Sequence, residues 1–170
     1  MSGQTGVALG AYDVAAQVVD PELRVVTIAE LGILRAVETD GDQATVTLTP
    51  TYSGCPAMDT IRADVTAALR AAGWSRVEVV TTLRPAWSTD WISEQGRAKL
   101  ARAGIAPPPT GGVAAGPLML GLPTTRPPAP ACPHCGSQET VELSRFGSTA
   151  CKALWRCQGC REPFEHIKAL

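Results

Sequence analysis

Cys132-Pro-His-Cys135 and Cys157-Gln-Gly-Cys160 are two Cys-x-x-Cys pairs near the end of the chain, with 21 residues between them. Two ligands three positions apart can lie on one tight turn and supply half of a tetrahedral metal site. A hairpin can bring a second such turn to complete it. The spacing therefore predicts a zinc ribbon over residues 132-170, with these four cysteines as metal ligands. Two disulfides are the alternative interpretation of the same pattern.

The short length of residues 132-170 explains why this segment needs a metal. Ordering it costs roughly 60 kcal/mol of conformational entropy at ~1.5 kcal/mol per residue. So few residues bury too little apolar surface to offset that cost, whereas a structural zinc contributes an apparent ~10–16 kcal/mol. Four sulfur ligands also suit iron, so a rubredoxin-like electron-transfer protein with an Fe(Cys)4 site is an alternative.

The composition of the whole chain excludes several classes of protein. Of its 170 residues, 45% are hydrophobic, which excludes a disordered chain. Fifteen basic and sixteen acidic residues give a net charge of −1, which favours neither nucleic acid nor a membrane surface as a partner. The sequence shows neither a signal peptide nor a run of membrane-spanning length. Cysteines arranged as metal ligands agree with a reducing compartment, so we expect a cytoplasmic protein.

The first two thirds of the chain carry the pattern of a small α+β domain. Helical spacing before Pro21 predicts one helix, and a second begins after Cys55-Pro56 and ends at Gly73. The Asp40-Gly41 turn separates two alternating runs, which predicts a β-hairpin. The predicted elements are helix 11–19, strands 33–38 and 44–49, a helix with Met58, Ile61, Val65, Leu69 and Ala72 on one face, and a strand around 77–79. We expect helices packed on one side of a small mixed sheet, in a domain spanning 1-104.

The region between this domain and the ribbon is predicted in two parts. Residues 89–103 indicate two short helices, broken near Gly96 and ended by Gly104. Residues 105-131 hold eight of the fourteen prolines and are predicted to form a Pro/Gly-rich linker without a core of its own. The apolar stretch 117–123 within it is a candidate for packing back on the first domain.

Several motifs carry a resemblance to known families. Three of them resemble the metal–sulfur cluster assembly domain family: Asp20-Pro21-Glu22, Leu31-Gly32-Ile33 and the stretch Thr51 to Pro56 that opens a helix. Three further stretches make the chain similar to the PaaD (PaaJ) family of accessory proteins of aerobic phenylacetate degradation: 87–93, 104–108 and 146–157. The resemblance covers nearly the whole chain, with the linker as its least distinctive part.

This resemblance implies an accessory or maturation protein rather than an enzyme. It would assist assembly of an iron–sulfur or diiron centre of the multicomponent phenylacetyl-CoA epoxidase. The implied partners are the oxygenase and reductase subunits of that system and iron–sulfur carrier proteins, with no nucleic acid and no membrane. The implied cofactors are a structural zinc and, transiently, iron or an iron–sulfur cluster. A homodimer is kept open as an oligomeric state.

Cys55 is the position on which the reactive cysteine of the cluster assembly family falls. A thiol at the first turn of a helix faces unpaired N–H groups and the positive end of the helix dipole. The sequence therefore predicts a modestly lowered pKa for Cys55, without making it a strong nucleophile. The alternative is a small apolar residue that packs at the start of a helix.

Asp20, Glu22 and Thr51 complete the predicted site. Both carboxylates are placed to point into one pocket beside Cys55, where thiolate and carboxylate together would suit iron. The alternative is an Asp-Pro turn that ends a helix, with Glu22 in solvent. Thr51 and Ser53 could bind the loop or a ligand, or cap the helix.

The remaining reactive or aromatic residues have two interpretations each. Cys151 is either a fifth thiol that exchanges with bound metal or a buried residue on the second strand of the ribbon. His134 and His166 are predicted not to be ligands, since four cysteines fill a tetrahedral site. Because both histidines lie in the ribbon, a thiol enzyme using Cys55 is disfavoured. Trp87 and Trp91 form either a partner-binding patch or the roof of the first core.

Overall fold

The computed structural model describes residues 10–109 and 128–168. The chain divides into two compact units, Met1–Trp87 and Ser88–Leu170. We describe each unit by itself.

The first unit is a three-stranded mixed sheet with helices on one face. Its described elements are α1 (Ala11–Ala16), β1 (Leu34–Asp40), β2 (Gln43–Leu48), α2 (Ala57–Ala71) and β3 (Arg76–Thr81). Strands β1 and β2 pair antiparallel and β2 and β3 pair parallel, so the sheet order is β1-β2-β3. Helix α1 contacts β1, α2 contacts β3, and the two helices contact each other. The predicted α+β class is confirmed.

The hairpin of β1 and β2 follows from the alternating sequence. Ala44, Val46 and Leu48 of β2 are fully buried, while the threonines between them are partly exposed. Gly41 in the turn has φ 58°, a conformation that costs glycine little because it has no Cβ. The inward side chains of β2 therefore form the floor on which the helices pack.

Helix α2 is the element that carries the predicted thiol site. Its buried residues recur at helical spacing: Ala57, Met58, Ile61, Val65 and Leu69. Each large one contributes ~1.5–3 kcal/mol on burial. The helix begins one residue later than predicted, with Pro56 as the N-cap. Gly73 at φ 105° ends it in a Schellman motif, and Ala72 is exposed.

No helix in the described parts is long and apolar enough to cross a membrane.

The second unit is a four-stranded sheet preceded by helical segments. Its described elements are a 3-10 helix (Thr89–Trp91), α3 (Glu94–Arg102), β4 (Ile105–Ala106), β5 (Thr140–Ser144), β6 (Lys152–Cys157) and β7 (Pro163–Ile167). The sheet order is β4-β7-β6-β5, with β4 parallel to β7 and the other pairs antiparallel.

The break between the two short helices lies at Ile92 and Ser93, and the predicted break near Gly96 is wrong. Ser93 is the N-cap of α3, and its hydroxyl accepts a hydrogen bond from the N–H of Gly96 at 3.0 Å. A capping hydroxyl satisfies a donor that the first turn leaves unpaired, so it sets the start of the helix. Gly104, at φ 77°, follows the helix end as predicted.

Residues 105 and 106 do not behave as linker. They form β4 in the ribbon sheet, and the Arg97 side chain donates to the carbonyls of Thr89, Ile92 and Pro108. The compact units accordingly divide after Trp87, whereas the sequence-based boundary is at residue 104. A two-residue strand has no periodicity of its own, which is why proline content alone indicated a linker. The apolar stretch 117–123 lies outside the described residues.

The ribbon has a small core of its own. Its buried cluster consists of Ala106, Cys132, Ala153, Trp155, Cys157 and Phe164. His166 packs beside it, edge-on to the Trp155 ring at 6.1 Å, and its Nδ1 lies 3.1 Å from the carbonyl oxygen of Ala106. Two of the four predicted metal ligands are therefore part of the apolar core.

Candidate metal and thiol sites

The four cysteines of the ribbon converge on one point. Their Sγ atoms all lie within 4.8 Å of one another. Cys132 and Cys160 are separated by 3.7 Å between sulfurs, and Cys135 and Cys157 by 3.5 Å. A tetrahedral ion with Zn–S bonds of ~2.3 Å requires sulfurs ~3.8 Å apart. The arrangement fits a single tetrahedral metal ion.

The two turns that hold these cysteines are built alike. In each, the N–H of the first cysteine donates to the carbonyl five residues later: Cys132 to Ser137 at 2.9 Å and Cys157 to Glu162 at 3.0 Å. In each, the residue after the second cysteine has positive φ, 76° for Gly136 and 67° for Arg161. An arginine in this conformation carries strain that a glycine avoids. The second turn is therefore the more strained half of the site.

Hydrogen bonds within the cluster shift the pKa values of Cys157 and Cys160 in opposite directions. The N–H of Cys160 donates to Cys157 Sγ at 3.4 Å and lowers the pKa of Cys157 to about 6. The N–H of Glu162 also favours a Cys160 thiolate, but burial and hydrogen bonds with the neighbouring sulfurs raise the Cys160 pKa to about 12. One thiolate forms readily and opposes the next. A doubly charged cation would remove this conflict, and four thiolates suit zinc or iron.

Cys55 lies in the loop that leads into α2. Its N–H donates to the carbonyl of Tyr52 at 3.2 Å, and its carbonyl accepts from the N–H of Met58 at 3.3 Å. The residue is half-buried. It lies directly before the N-cap Pro56, and therefore just outside the first turn in which it was predicted.

The surroundings of the Cys55 sulfur contradict one sequence-based expectation. Burial raises the pKa of the Cys55 thiol, and the charges of Glu22 and Asp20 raise it further. The N–H of Ala57 and the hydroxyl of Thr51 lower it, but by less than the opposing effects. The expected lowering is wrong because desolvation and two carboxylates outweigh the helix terminus. Thr51, Asp20 and Glu22 nevertheless all act on the pKa of this thiol.

Asp20 has a structural role as well as an electrostatic one. It is 5% exposed, and its Oδ1 accepts the N–H groups of Glu22 at 2.9 Å and Leu23 at 2.8 Å. This turn fixes the carboxylate after α1 and holds Glu22 half-buried beside it. The alternative of a helix-ending turn with Glu22 in solvent is wrong, because α1 ends at Ala16, earlier than predicted, and Glu22 is half-buried. The charges of Asp20 and Glu22 act on the pKa of Cys55 from this turn.

Other candidates have mainly structural positions. Cys151 is buried directly before β6, with its Sγ 3.1 Å from the hydroxyl of Thr149. Burial lowers the pKa of His166, and neither histidine belongs to the described cysteine cluster. Trp87 is buried and its indole N–H donates to the carbonyl of Leu31 at 2.9 Å, whereas Trp91 is half-buried. Trp87 therefore belongs to the core of the first unit.

A buried ion pair escaped the sequence analysis. Lys152 is 4% exposed, and its Nζ lies 2.7 Å from Glu165 Oε2 on the neighbouring strand. Burial alone would raise the pKa of Glu165, but Lys152 and the N–H of Ser148 hold it below the ordinary value. The only sequence signal was a lysine at the start of a strand otherwise rich in apolar residues. The pair anchors the loop between β5 and β6.

Comparison with known proteins assigns these two units to a class. The first, residues 12–81, matches the family model described as "Iron-sulfur cluster assembly protein". Residues 122–168 match the model described as "PaaD zinc beta ribbon domain". The chain thus joins a cluster assembly-type domain to a zinc ribbon.

A relative of similar length gives the particular family. This Escherichia coli (strain K12) protein is named as one subunit of a "Putative 1,2-phenylacetyl-CoA epoxidase". It is 42% identical over 154 residues, which cover 91% of this chain and 88% of the relative. The chain belongs to the PaaD family. A "Fe-S protein maturation auxiliary factor" of Porphyromonas gingivalis (strain ATCC BAA-308 / W83) is 35% identical over 85 residues, covering 49% of this chain and 80% of that protein.

Two solved structures are similar to part of the chain. The DUF59 domain of unknown function from Bacillus anthracis is 32% identical with a TM-score of 0.49, covering 53% of this chain and 87% of that one. Rv1466 from Mycobacterium tuberculosis, described as associated with [Fe-S] complex assembly and repair, is 31% identical with a TM-score of 0.37. It covers 61% of this chain and 92% of that one.

Proposed function

We propose that the protein is a non-catalytic accessory factor that assists assembly of an iron–sulfur or diiron centre of phenylacetyl-CoA epoxidase. The names of the Escherichia coli and Porphyromonas gingivalis relatives support the two halves of this proposal, the client and the task. The observation that supports it is a half-buried Cys55 thiol whose pKa is influenced by Thr51, Asp20 and Glu22 together.

The raised pKa of Cys55 suits a site that takes up metal and releases it. At neutral pH the sulfur carries its proton, so it is a poor nucleophile. When a ferrous ion or a cluster edge binds as cargo, an S–Fe bond forms and the thiol proton passes to solvent. Glu22 and Asp20 raise the thiol pKa yet attract the incoming cation, and release to a client returns the proton to sulfur. Empty and loaded states therefore differ by one proton.

The ribbon would hold a permanent metal and recognise the client. Its four sulfurs are held by paired turns and a buried core, which suits a structural zinc rather than a cargo. In this proposal the partners are the oxygenase and reductase subunits and iron–sulfur carriers, and the protein works in the cytoplasm with them.

A rubredoxin-like electron carrier is the second candidate function. The sulfur separations of 3.5 and 3.7 Å suit an Fe(Cys)4 site as well as a zinc site. Metal analysis of protein purified without added metal separates the two functions. One zinc per chain and a colourless solution support the accessory factor, whereas one iron and the red colour of Fe³⁺–thiolate support the electron carrier.

Client metal content tests the maturation proposal directly. The epoxidase components are expressed with the wild-type chain, without it, or with Cys55→Ala, and the iron and cluster content of each purified client is measured. We expect under-loaded clients without the chain and with Cys55→Ala. Cys151→Ala, the matched removal of the other cysteine outside the ribbon cluster, should leave loading unchanged. Full loading without the chain would reject the function, and full loading with Cys55→Ala would reject the site.

A further inference from the structure

The ribbon exposes a group of apolar side chains around β5, the edge strand of the described sheet. Val141 is 39% exposed, Leu143 48% and Phe146 72%. Leu143 lies at a register shift between β5 and β6, which is a bulge that turns side chains outward. We call these three residues, with Arg145, Arg156 and Lys168, the β5 patch.

Hydrogen bonds of residues 146–148 hold the loop that exposes the Phe146 side chain. Its own N–H donates to the hydroxyl of Ser144 at 3.1 Å. The next two residues are fastened to the sheet, Gly147 by its N–H to the carbonyl of Lys152 at 2.8 Å and Ser148 to Glu165 at 2.9 Å. A Cβ on Gly147 would lie 3.1 Å from Glu165 Oε1 and 3.2 Å from Lys152 Cβ, so a larger residue would press against both side chains. The loop therefore presents the ring to solvent in a defined orientation.

Positive charge surrounds the apolar residues. Lys168 Nζ lies 5.1 Å from the centre of the Phe146 ring and donates to the carbonyl of Arg145 at 3.2 Å. Exposed Arg156 is directly opposite Val141 on β6 and shares its face of the sheet. Glu142 pairs with Trp155 and acts on the pKa of His166, which places its charge on the other face. The described patch is thus apolar at its centre and cationic at its rim.

We propose that the β5 patch binds a protein segment in which apolar side chains are flanked by carboxylates. Exposed aromatic and arginine side chains are the types that concentrate binding energy at protein interfaces. A second copy of this chain is disfavoured, because self-pairing would bring two cationic rims together. Nucleic acid is disfavoured because the patch offers three cationic side chains, fewer than the roughly 6–10 phosphate contacts of a strongly salt-dependent DNA-binding protein. The inference rests on the proposed function in one respect: the segment belongs to the client.

Affinity for the purified epoxidase tests the patch. The full-length, metal-loaded chain is immobilised and the Kd is measured at low and high salt. Phe146→Ser should weaken binding by about tenfold or more, since it removes the central side chain. Arg145→Glu with Arg156→Glu should weaken it by about tenfold at low salt and abolish the salt dependence. Melting curves and metal content confirm that each variant is folded.

Matched controls lie in the first unit. Leu83→Ser changes another exposed apolar residue, and Arg70→Glu with Arg84→Glu reverses two exposed arginines. Both should leave the Kd within about twofold. An unchanged Kd in the patch variants would overturn the inference. So would a wild-type dimer that Phe146→Ser dissociates, or binding of a single-stranded oligonucleotide that the arginine variants abolish.

Two readouts keep this inference separate from the maturation proposal. If the patch variants lose binding but the client is fully metallated without the chain, the docking surface stands and the maturation function fails. If client loading depends on Cys55 while the patch variants bind normally, the function stands and this surface is rejected.

Discussion

The two thiol sites of this protein differ in the number of sulfurs they hold and in the form of the thiol that their surroundings favour. In the ribbon, four sulfurs meet within 4.8 Å, and backbone N–H groups favour the first thiolate. At Cys55, burial and the charges of Glu22 and Asp20 raise the pKa of a single half-buried thiol. The ribbon thus gathers four sulfurs around one centre, whereas the surroundings of Cys55 favour a protonated thiol.

Under the proposed function, this difference separates a permanent metal from an exchangeable one. Loss of an ion from the ribbon would leave crowded thiols beside its core, which couples metal loss to unfolding. Release of an ion from Cys55 would leave a neutral thiol, which costs the fold little. Sulfur would then serve stability in one unit and exchange in the other. Four variants test this contrast.

The largest expected effect is loss of the ribbon fold in Cys132→Ser. This residue is 2% exposed and provides one of the four sulfurs, and a structural zinc contributes an apparent ~10–16 kcal/mol. We expect the variant to lose its stoichiometric metal and the thermal transition of the ribbon. Metal analysis and circular dichroism measure both. Cys151→Ser, at an equally buried cysteine outside the cluster, should keep the metal; if it does not, the ligand set is different.

Ile61→Ala tests whether the first unit unfolds independently of the metal. Ile61 is fully buried on α2, and truncating such a side chain costs ~2–5 kcal/mol. We expect a lower denaturation midpoint for the first unit with unchanged metal content. Thr60→Ala, at the adjacent exposed position, should shift the midpoint little. Metal loss in Ile61→Ala at native temperatures would contradict the separation of the two sites.

Glu22→Gln should make Cys55 more acidic. The carboxylate of Glu22 raises the pKa of the thiol, so its removal should increase the rate of iodoacetamide labelling at pH 8 severalfold. Mass spectrometry of the Cys55 peptide measures this rate, and Glu38→Gln on β1 is the control. Folding raises the pKa of the Cys55 thiol. The protonated thiol therefore makes its full contribution to stability at pH values below the unfolded pKa, and this contribution is lost as the pH rises through the folded pKa. An unchanged labelling rate would remove Glu22 from the site.

The smallest effect concerns the strained turn of the ribbon. Arg161→Gly should stabilise the metal-loaded ribbon by about 0.5–1 kcal/mol, because relief of a left-handed backbone exceeds the added freedom of the unfolded chain. Gly136→Arg should destabilise the matching turn by a similar amount. Thermal denaturation with metal present compares them. If both substitutions changed the stability of the ribbon by the same amount and in the same direction, the two turns would not be equivalent.

Local pattern was enough to predict much of the fold. The spacing of Met58, Ile61, Val65 and Leu69 and the alternation of β2 are signals contained in one element, and both elements form as expected. The predicted start of α3 is wrong because Gly96 suggests a break in the helix, whereas the cap formed by Ser93 decides where the helix begins. Strand β4 was missed because its two residues pair with Glu165 and His166, about sixty positions away.

The two sites also differ in how well local sequence predicts them. The four ribbon ligands follow from spacing alone, since each pair sits on one turn. The neighbourhood of Cys55 does not, because Asp20 and Glu22 approach from a turn more than thirty residues earlier. Family resemblance supplied that pairing. The direction of the Cys55 pKa was misjudged because burial belongs to the tertiary structure and cannot be read from a helix start.

Strand β4 changes what the proline-rich stretch can be. Ile105 and Ala106 belong to the same sheet as β7, and Arg97 ties Pro108 to the segment before α3. The ribbon sheet therefore includes residues that come well before its first cysteine. A deletion that removed Ile105 and Ala106 would take a strand from this sheet and leave β7 as its outer strand.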